Sequence, residues 1–99
     1  MGAETRAAEV ASQVAEVVRR VLGDRVLVLW FGSWPQGRAI PGSDIDIAIE
    51  ADGPIPPALF AQLREAVEDL PTLHSMDLVD LRLADRRLRD EILAHGVPL

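Results

Sequence analysis

Strict alternation of residue character over residues 43–50 (SDIDIAIE) is the strongest constraint that this sequence places on its fold. The three isoleucines fall on one side of an extended chain, and Asp44, Asp46 and Ala48 fall on the other. This two-residue period is that of a β-strand with one packed face. The chain therefore needs a sheet whose isoleucine side is covered by other elements.

The patterns on either side of this strand predict an α/β (α+β) domain with the element order α-β-loop-β-α-β-α. Residues 25–31 (RVLVLWF) are typical of a strand buried on both faces, and residues 75–81 (SMDLVDL) alternate as a third strand. Helices are predicted from the spacing of apolar residues and from glycine or proline at their ends, over residues 4–22, 56–70 and 84–95. We expect a small mixed sheet with helices packed against it.

The composition excludes several classes of chemistry. Sixteen acidic against ten basic residues give a net charge of −6, which disfavours direct binding to nucleic acid or acidic membranes. The absence of cysteine excludes disulfides and thiolate chemistry, and the absence of lysine excludes a Walker-type phosphate loop. No apolar stretch approaches the ~20 residues of a membrane span, and residues 1–6 lack a signal pattern. We expect one cytoplasmic domain over residues 1–99.

Asp44 and Asp46 share one face of the second strand, where alternate Cα atoms lie about 6.6–6.8 Å apart. Such a pair is unfavourable unless a cation shares the site or one pKa rises. Mg²⁺ prefers oxygen ligands, and three carboxylates can hold two metal ions about 3.5–4 Å apart. Asp77 is within reach if its strand is a neighbour. A metal site is thus one reading of the pattern, and the solvated face of an edge strand is the other.

Gly32-Ser33 follows directly after the first predicted strand, and residues 33–42 form a loop that contains two prolines and two further glycines. We predict one helical turn that starts near Ser33. A small-residue turn at such a position presents backbone N–H groups and a hydroxyl, which suit a phosphate group. Gly-Ser alone is a weak signal, and it becomes specific when it is joined to the two aspartates at a fixed spacing.

Gly32-Ser33, ten intervening residues and Asp44-Ile45-Asp46 together resemble the G-S-x10-D-x-D signature of polymerase-beta-like nucleotidyltransferases. The stretch FGSWPQGRAIPGSDIDIAIE is similar to the minimal nucleotidyltransferase (MNT) domains, and the resemblance spans nearly the whole chain. It implies a polymerase-beta palm-like fold. By the same resemblance, Gly32 and Ser33 handle a nucleoside triphosphate, ATP for example. Asp44, Asp46 and a later strand aspartate would be the catalytic carboxylates and would bind Mg²⁺, with two ions possible.

The resemblance leaves two assignments to be made, the third carboxylate and the loop residue that contacts phosphate. Asp77 is preferred over Asp80 as the third carboxylate, because it precedes a pair of apolar residues as in the family and Asp80 points to the opposite face. Family members often carry arginine just before the second glycine of the loop, where this chain has Gln36. Arg38 is a candidate for the missing phosphate contact, and Ser43 is also expected to contact the nucleotide.

The resemblance also implies a function and a partner. The chain is expected to be a protein adenylyltransferase that moves AMP from ATP to a hydroxyl of a helical HEPN protein, a toxin whose antitoxin is the MNT chain. The alternative is a non-catalytic antitoxin that masks its partner, which the glutamine at position 36 favours. A small-molecule acceptor is disfavoured, since 99 residues leave little surface for a second pocket.

Several smaller features have structural interpretations. Trp34 is expected to pack the loop onto the fold, with stacking on a nucleobase as the alternative, and His74 is expected to be structural rather than a general base. The last helix carries pairs of opposite charge four residues apart, which predict a solvated, salt-bridged helix. These pairs are Asp85–Arg89, Arg86–Asp90 and Arg87–Glu91.

Overall fold

A four-stranded mixed sheet with helices on both faces forms the framework of residues 2–99, which a computed structural model describes. In chain order the elements are α1 (Ala3–Leu22), β1 (Leu27–Phe31), β2 (Ile45–Glu50), α2 (Pro57–Glu68), β3 (Met76–Asp80), α3 (Arg86–His95) and β4 (Val97–Pro98). The strand order is β3-β2-β1-β4, with β2 and β3 parallel and the other pairs antiparallel. The predicted fold class is confirmed. Within residues 2–99 no helix is both long and apolar enough to cross a membrane.

Helices α1 and α2 cover the isoleucine face of the sheet. Ile45, Ile47 and Ile49 are at most 1% exposed, and they pack with the valines of α1 and with Leu63 of α2. Burial of this stripe removes a large apolar area from water, at roughly 25 cal/mol for each Å². The alternation in the sequence therefore correctly identified the side of β2 that forms the main core.

The opposite face of β2 is also packed, so the expectation of a single packed face was wrong. Ala48 is fully buried in a second cluster with Leu29, Leu81 and Ile92, and Ile92 belongs to α3. Alanine is small enough to lie directly under a helix, and its place beside two aspartates made this face look solvated. The α3 layer thus covers part of the face that carries the acidic residues.

Strand β4 is the element that the sequence patterns did not predict. Val97 and Pro98 pair with Trp30 and Leu29 of β1. A strand of two residues offers no alternation that could be recognised in the sequence. Only its pairing with β1 defines it.

One of the three predicted ion pairs on α3 is formed within residues 2–99, between the exposed side chains of Arg86 and Asp90 at 3.9 Å. Asp85 instead caps the helix, since its side chain accepts a hydrogen bond from a backbone N–H of the first turn. Arg89 turns to the sheet, where its Nη1 donates to Glu50 Oε1 at 3.1 Å. Helix α3 is therefore bound to β2 through Arg89, and it carries one ion pair along its own surface instead of three.

Candidate active site

Three carboxylates lie at neighbouring positions at one end of the sheet. Asp46 and Asp77 are register partners on the parallel strands β2 and β3, so their side chains project from the same face. Asp44 lies two residues before Asp46, immediately ahead of β2. Asp44 and Asp77 are exposed, and Asp46 is half-buried between them. The structure thus brings together the three aspartates that the sequence singled out.

The electrostatics of Asp46 reflect this arrangement. Its pKa is raised from 3.8 to about 6, first by burial of the carboxyl and then by the negative charges of Asp77 and Asp44. Burial and like charges both disfavour the ionised form of a carboxyl group. The charges of Asp77 and Asp44 thus act on Asp46, and a cation beside Asp46 would relieve this repulsion.

The donor set fits a hard divalent cation in an open site. Carboxylate oxygens are the protein ligands that Mg²⁺ prefers, and Mg²⁺ commonly takes one or two of them together with substrate phosphates and water. Among residues 2–99, no group of three His, Asp or Glu side chains is already gathered tightly enough to hold a metal ion. The three aspartates thus offer the type of donor atom that Mg²⁺ prefers, and they do not form a closed protein cage.

We expect Asp46→Asn to stabilise the metal-free protein by about 1 kcal/mol at about pH 7.5, after allowance for solvent screening of a partly exposed group. Because the pKa of Asp46 is higher in the folded than in the unfolded chain, its charge costs stability as pH rises from about 4 to about 6. Asparagine removes that cost, so the gain should vanish near pH 4. Urea unfolding in EDTA at both pH values measures it.

The matched control for this prediction is Glu16→Gln, which removes one negative charge from an exposed position on α1. Its stability should stay within about 0.5 kcal/mol of the unsubstituted protein at both pH values. A less stable Asp46→Asn protein at pH 7.5 would show that the Asp46 charge is favourably held, contrary to the raised pKa.

Gly32 is in direct contact with Asp46. Its φ is 86°, a backbone conformation that residues with a side chain rarely adopt, and a Cβ built on it would overlap Asp46 Oδ2. Glycine is thus required here both for the turn and for the close approach of the carboxylate to the backbone. The Gly-Ser turn and the acidic cluster therefore form one site.

A hydrogen-bonded turn over residues 33–37 follows Gly32, where one helical turn was predicted, and its two backbone bonds have the pattern of a Schellman motif. The N–H of Gly37 donates to the Trp34 carbonyl at 3.1 Å, and the N–H of Arg38 donates to the Ser33 carbonyl at 2.9 Å. These are the two bonds of that motif, with Gly37 at the left-handed position at φ 71°. Gly37 therefore sets the direction in which the loop leaves the site.

Arg38 lies beside Gln36, the position at which the resemblance leads one to expect an arginine. Its Nη2 donates to Gln36 Oε1 at 2.5 Å, and the guanidinium is exposed. A guanidinium has five N–H donors, so most of them remain for an anion after this bond. The geometry is compatible with the phosphate contact that was predicted for Arg38.

Ser43 holds the loop in place. Its Oγ accepts a hydrogen bond from the Ile40 N–H at 2.9 Å, and its carbonyl accepts one from Trp34 Nε1 at 3.1 Å. Trp34 is 7% exposed within the main core, so its predicted packing role is confirmed. The Ser43 hydroxyl keeps its own O–H free to donate to another group, so its predicted nucleotide contact stays a prediction.

Asp80 lies at the far end of β3, in register with Ile49. It is 8% exposed, and its Oδ1 accepts a hydrogen bond from the Arg82 N–H at 3.1 Å. Asp80 is not among the charges that raise the Asp46 pKa, whereas Asp77 is. Asp77 is thus the β3 aspartate that lies beside Asp46, and Asp80 serves the turn after the strand.

The mixed sheet carries clustered aspartates beside a Gly-Ser turn, and a family model matches the chain over most of its length. The family model described as "Polymerase beta, Nucleotidyltransferase" matches residues 16–99. The chain therefore belongs to this nucleotidyltransferase family. No curated protein matches the chain significantly.

Solved structures share the fold. The chain is 27% identical to a chain of a toxin–antitoxin crystal structure with AMP-PNP, with a TM-score of 0.74 over 89% of this chain and 70% of that one. It is 31% identical to a protein described as a minimal nucleotidyltransferase, with a TM-score of 0.71 over 100% and 97% of the two chains. A complex of a tri-AMPylated Shewanella oneidensis HEPN toxin with an MNT antitoxin matches at 22% identity, 93% and 70% coverage and a TM-score of 0.71, which shows the fold alone.

Proposed function

We propose that this chain is a metal-dependent adenylyltransferase that moves AMP from ATP to a hydroxyl of a helical HEPN-type toxin, for which it is the antitoxin. The observation that carries the proposal is the meeting of Asp44, Asp46 and Asp77 beside the Gly32 turn. The similarity to a toxin–antitoxin structure with AMP-PNP supports the nucleotide. The same toxin–antitoxin structure supports a toxin as the partner.

In this proposal Asp44, Asp46 and Asp77 hold Mg²⁺, as one ion or two. Bound there, the metal supplies positive charge for the phosphate oxygens of ATP and of the leaving pyrophosphate. The contact between Gly32 and Asp46 places the turn next to the carboxylates, so that the Ser33 hydroxyl can orient the triphosphate.

The transfer is an in-line displacement at the α-phosphorus. The acceptor oxygen forms a bond to the α-phosphorus, the bond to the bridging oxygen of the β-phosphate breaks, and pyrophosphate leaves with the electron pair. The acceptor must lose its proton, and we assign its removal to Asp77, a role that the exposure of this carboxylate on the outer strand of the sheet supports. Positioning and charge stabilisation supply most of the rate in such a reaction.

The open form of the site favours a protein as the acceptor. Asp44 and Asp77 are exposed, and β3 is an edge strand, so a macromolecular surface can reach the carboxylates from the side. A docked protein would also exclude the water that otherwise competes with the acceptor hydroxyl. This chain contains no tyrosine. Any AMP-tyrosine formed in a mixture must therefore lie on the partner.

The test is incubation of the chain with α-labelled ATP, Mg²⁺ and the HEPN-type protein encoded beside it. We expect label on the partner, and no labelling when EDTA is present from the start of the reaction. Asp77→Asn should lower the rate at least about a hundredfold, because it removes a carboxylate at the metal cluster. Asp80→Asn should stay within about threefold, because Asp80 contacts the backbone of a turn and not the cluster.

A second candidate function is a non-catalytic antitoxin, which Gln36 favours because it replaces an arginine that family members often carry. In that case the chain binds its partner tightly, no label is transferred, and Asp77→Asn leaves the neutralisation of the toxin unchanged. Tight complex formation without label on either protein would thus refute the transferase and support masking.

A further inference from the structure

We propose that Trp34 and His74 are positioning residues that fix the Asp44 segment against the Gly-Ser turn through one shared acceptor, the Ser43 carbonyl. Trp34 Nε1 donates to this carbonyl at 3.1 Å. His74 Nδ1 lies 3.4 Å from the same oxygen, within hydrogen-bond reach when Nδ1 carries the proton. The catalytic consequence of this inference rests on the proposed function, while its geometric consequence does not.

Each residue of this trio adjoins a different part of the candidate site. Trp34 follows Ser33, Ser43 precedes Asp44, and His74 lies three residues before Asp77. The two rings also touch, with centroids 5.8 Å apart and planes at 78°. Such an edge-to-face contact restricts the orientation of both rings. One carbonyl oxygen therefore joins the three chain segments that carry the site.

The segment that carries Asp44 lies just outside the sheet, where the Ser43 carbonyl contacts add to the backbone bonds of its neighbours, Ser43 N–H to the Ile40 carbonyl and Ile45 N–H to the Ser75 carbonyl, both at 2.9 Å. Strand β2 begins at Ile45, so the pairing of β2 with its neighbours does not include Asp44. Trp34 is a rigid anchor by contrast, since its ring is buried in the main core. The hydrogen bond from Trp34 to the Ser43 carbonyl thus restrains the end of the loop, next to Asp44, relative to the core.

Loss of the Trp34 N–H would leave only the longer His74 contact, at 3.4 Å, on the Ser43 carbonyl and let Asp44 move relative to Asp46. A displacement of about 1 Å at a catalytic group can reduce a rate by as much as a hundredfold. We expect Trp34→Phe to lower kcat for AMP transfer about tenfold and to change the KM for ATP less than about threefold, because Ser33 and Gly32 remain in place.

The matched control is Trp30→Phe. Trp30 belongs to the same core cluster, and its buried Nε1 has no hydrogen-bond partner among the described residues. The two substitutions remove the same atoms from the same core, and only that at Trp34 breaks a hydrogen bond. Trp30→Phe should therefore leave kcat within about twofold, whatever it does to stability.

A readout independent of catalysis is the NMR order parameter of the Asp44 amide in the metal-free protein. Rigid backbone gives about 0.85 and flexible backbone less than about 0.6. We expect a clear fall for Trp34→Phe and none for Trp30→Phe. His74→Asn, which can keep a donor nitrogen near the place of Nδ1, should preserve the order parameter and the rate better than His74→Ala.

The outcomes separate the geometric role of Trp34 from the transferase activity. Equal order parameters in the two phenylalanine variants would overturn the positioning role, and so would a fall without any difference in kcat from the Trp30 control. A fall in a protein that transfers no AMP before substitution would refute the proposed transferase and leave the geometric role of Trp34 standing.

Discussion

Asp46→Asn is expected to yield a protein that is more stable than the unsubstituted chain and yet transfers AMP at least about a thousandfold more slowly. Asparagine keeps the shape of the side chain but lacks the negative charge that a metal ligand needs here. Asp46 is the central member of the cluster, with Asp77 as its partner on β3 and Asp44 two residues away. The same charge that destabilises the metal-free fold would be the one that makes the site work.

The opposite signs of the two effects are what make this prediction informative. A variant that merely misfolds loses stability and activity together. Substitution of a metal-binding carboxylate that is repelled by its neighbours instead raises stability and lowers activity. Single-turnover transfer of labelled AMP at saturating Mg²⁺, beside urea unfolding in EDTA, measures both. Glu16→Gln should alter neither, and transfer by Asp46→Asn at an undiminished rate would remove Asp46 from the metal site.

The place of Asp46 on β2 could be predicted from the sequence because the period of a strand is local. Asp44 was predicted to be on the same strand, but it lies immediately ahead of it, because β2 begins at Ile45. The same rule separated Asp77 from Asp80. That Asp77 stands opposite Asp46 could not be predicted in this way, since the parallel pairing of β2 with β3 is set by packing between distant segments.

The contacts that hold the loop could not be predicted, because their acceptor is a backbone carbonyl. Every residue has such an oxygen, so residue type gives no sign that the Ser43 carbonyl receives Trp34. The cover over Ala48 was missed for a related reason. An alanine between an aspartate and a glutamate on the same side of a strand has the same pattern whether a helix or solvent lies above it.

Gly32→Ala is expected to have the second largest effect, with a loss of transfer of about a hundredfold or more. A methyl group at this position would overlap Asp46 Oδ2, so the carboxylate has to leave its place beside Asp77. Gly23→Ala is the matched control, because Gly23 has the same φ of 86° and nothing lies within 4 Å of its added Cβ. It should cost about 1–3 kcal/mol of stability from backbone strain, with transfer unchanged.

A double-substitution cycle then isolates the contact between the turn and the acid. In the Asp46→Ala background the overlapping oxygen is gone, so Gly32→Ala should destabilise the protein less than it does in the unsubstituted chain, by about 1 kcal/mol or more. Gly23→Ala should cost the same in both backgrounds, because Gly23 has no contact with Asp46. Equal costs of Gly32→Ala in the two backgrounds would mean that the turn tolerates a side chain beside the carboxylate. The Gly-Ser turn and the aspartates would then be neighbours without forming one site.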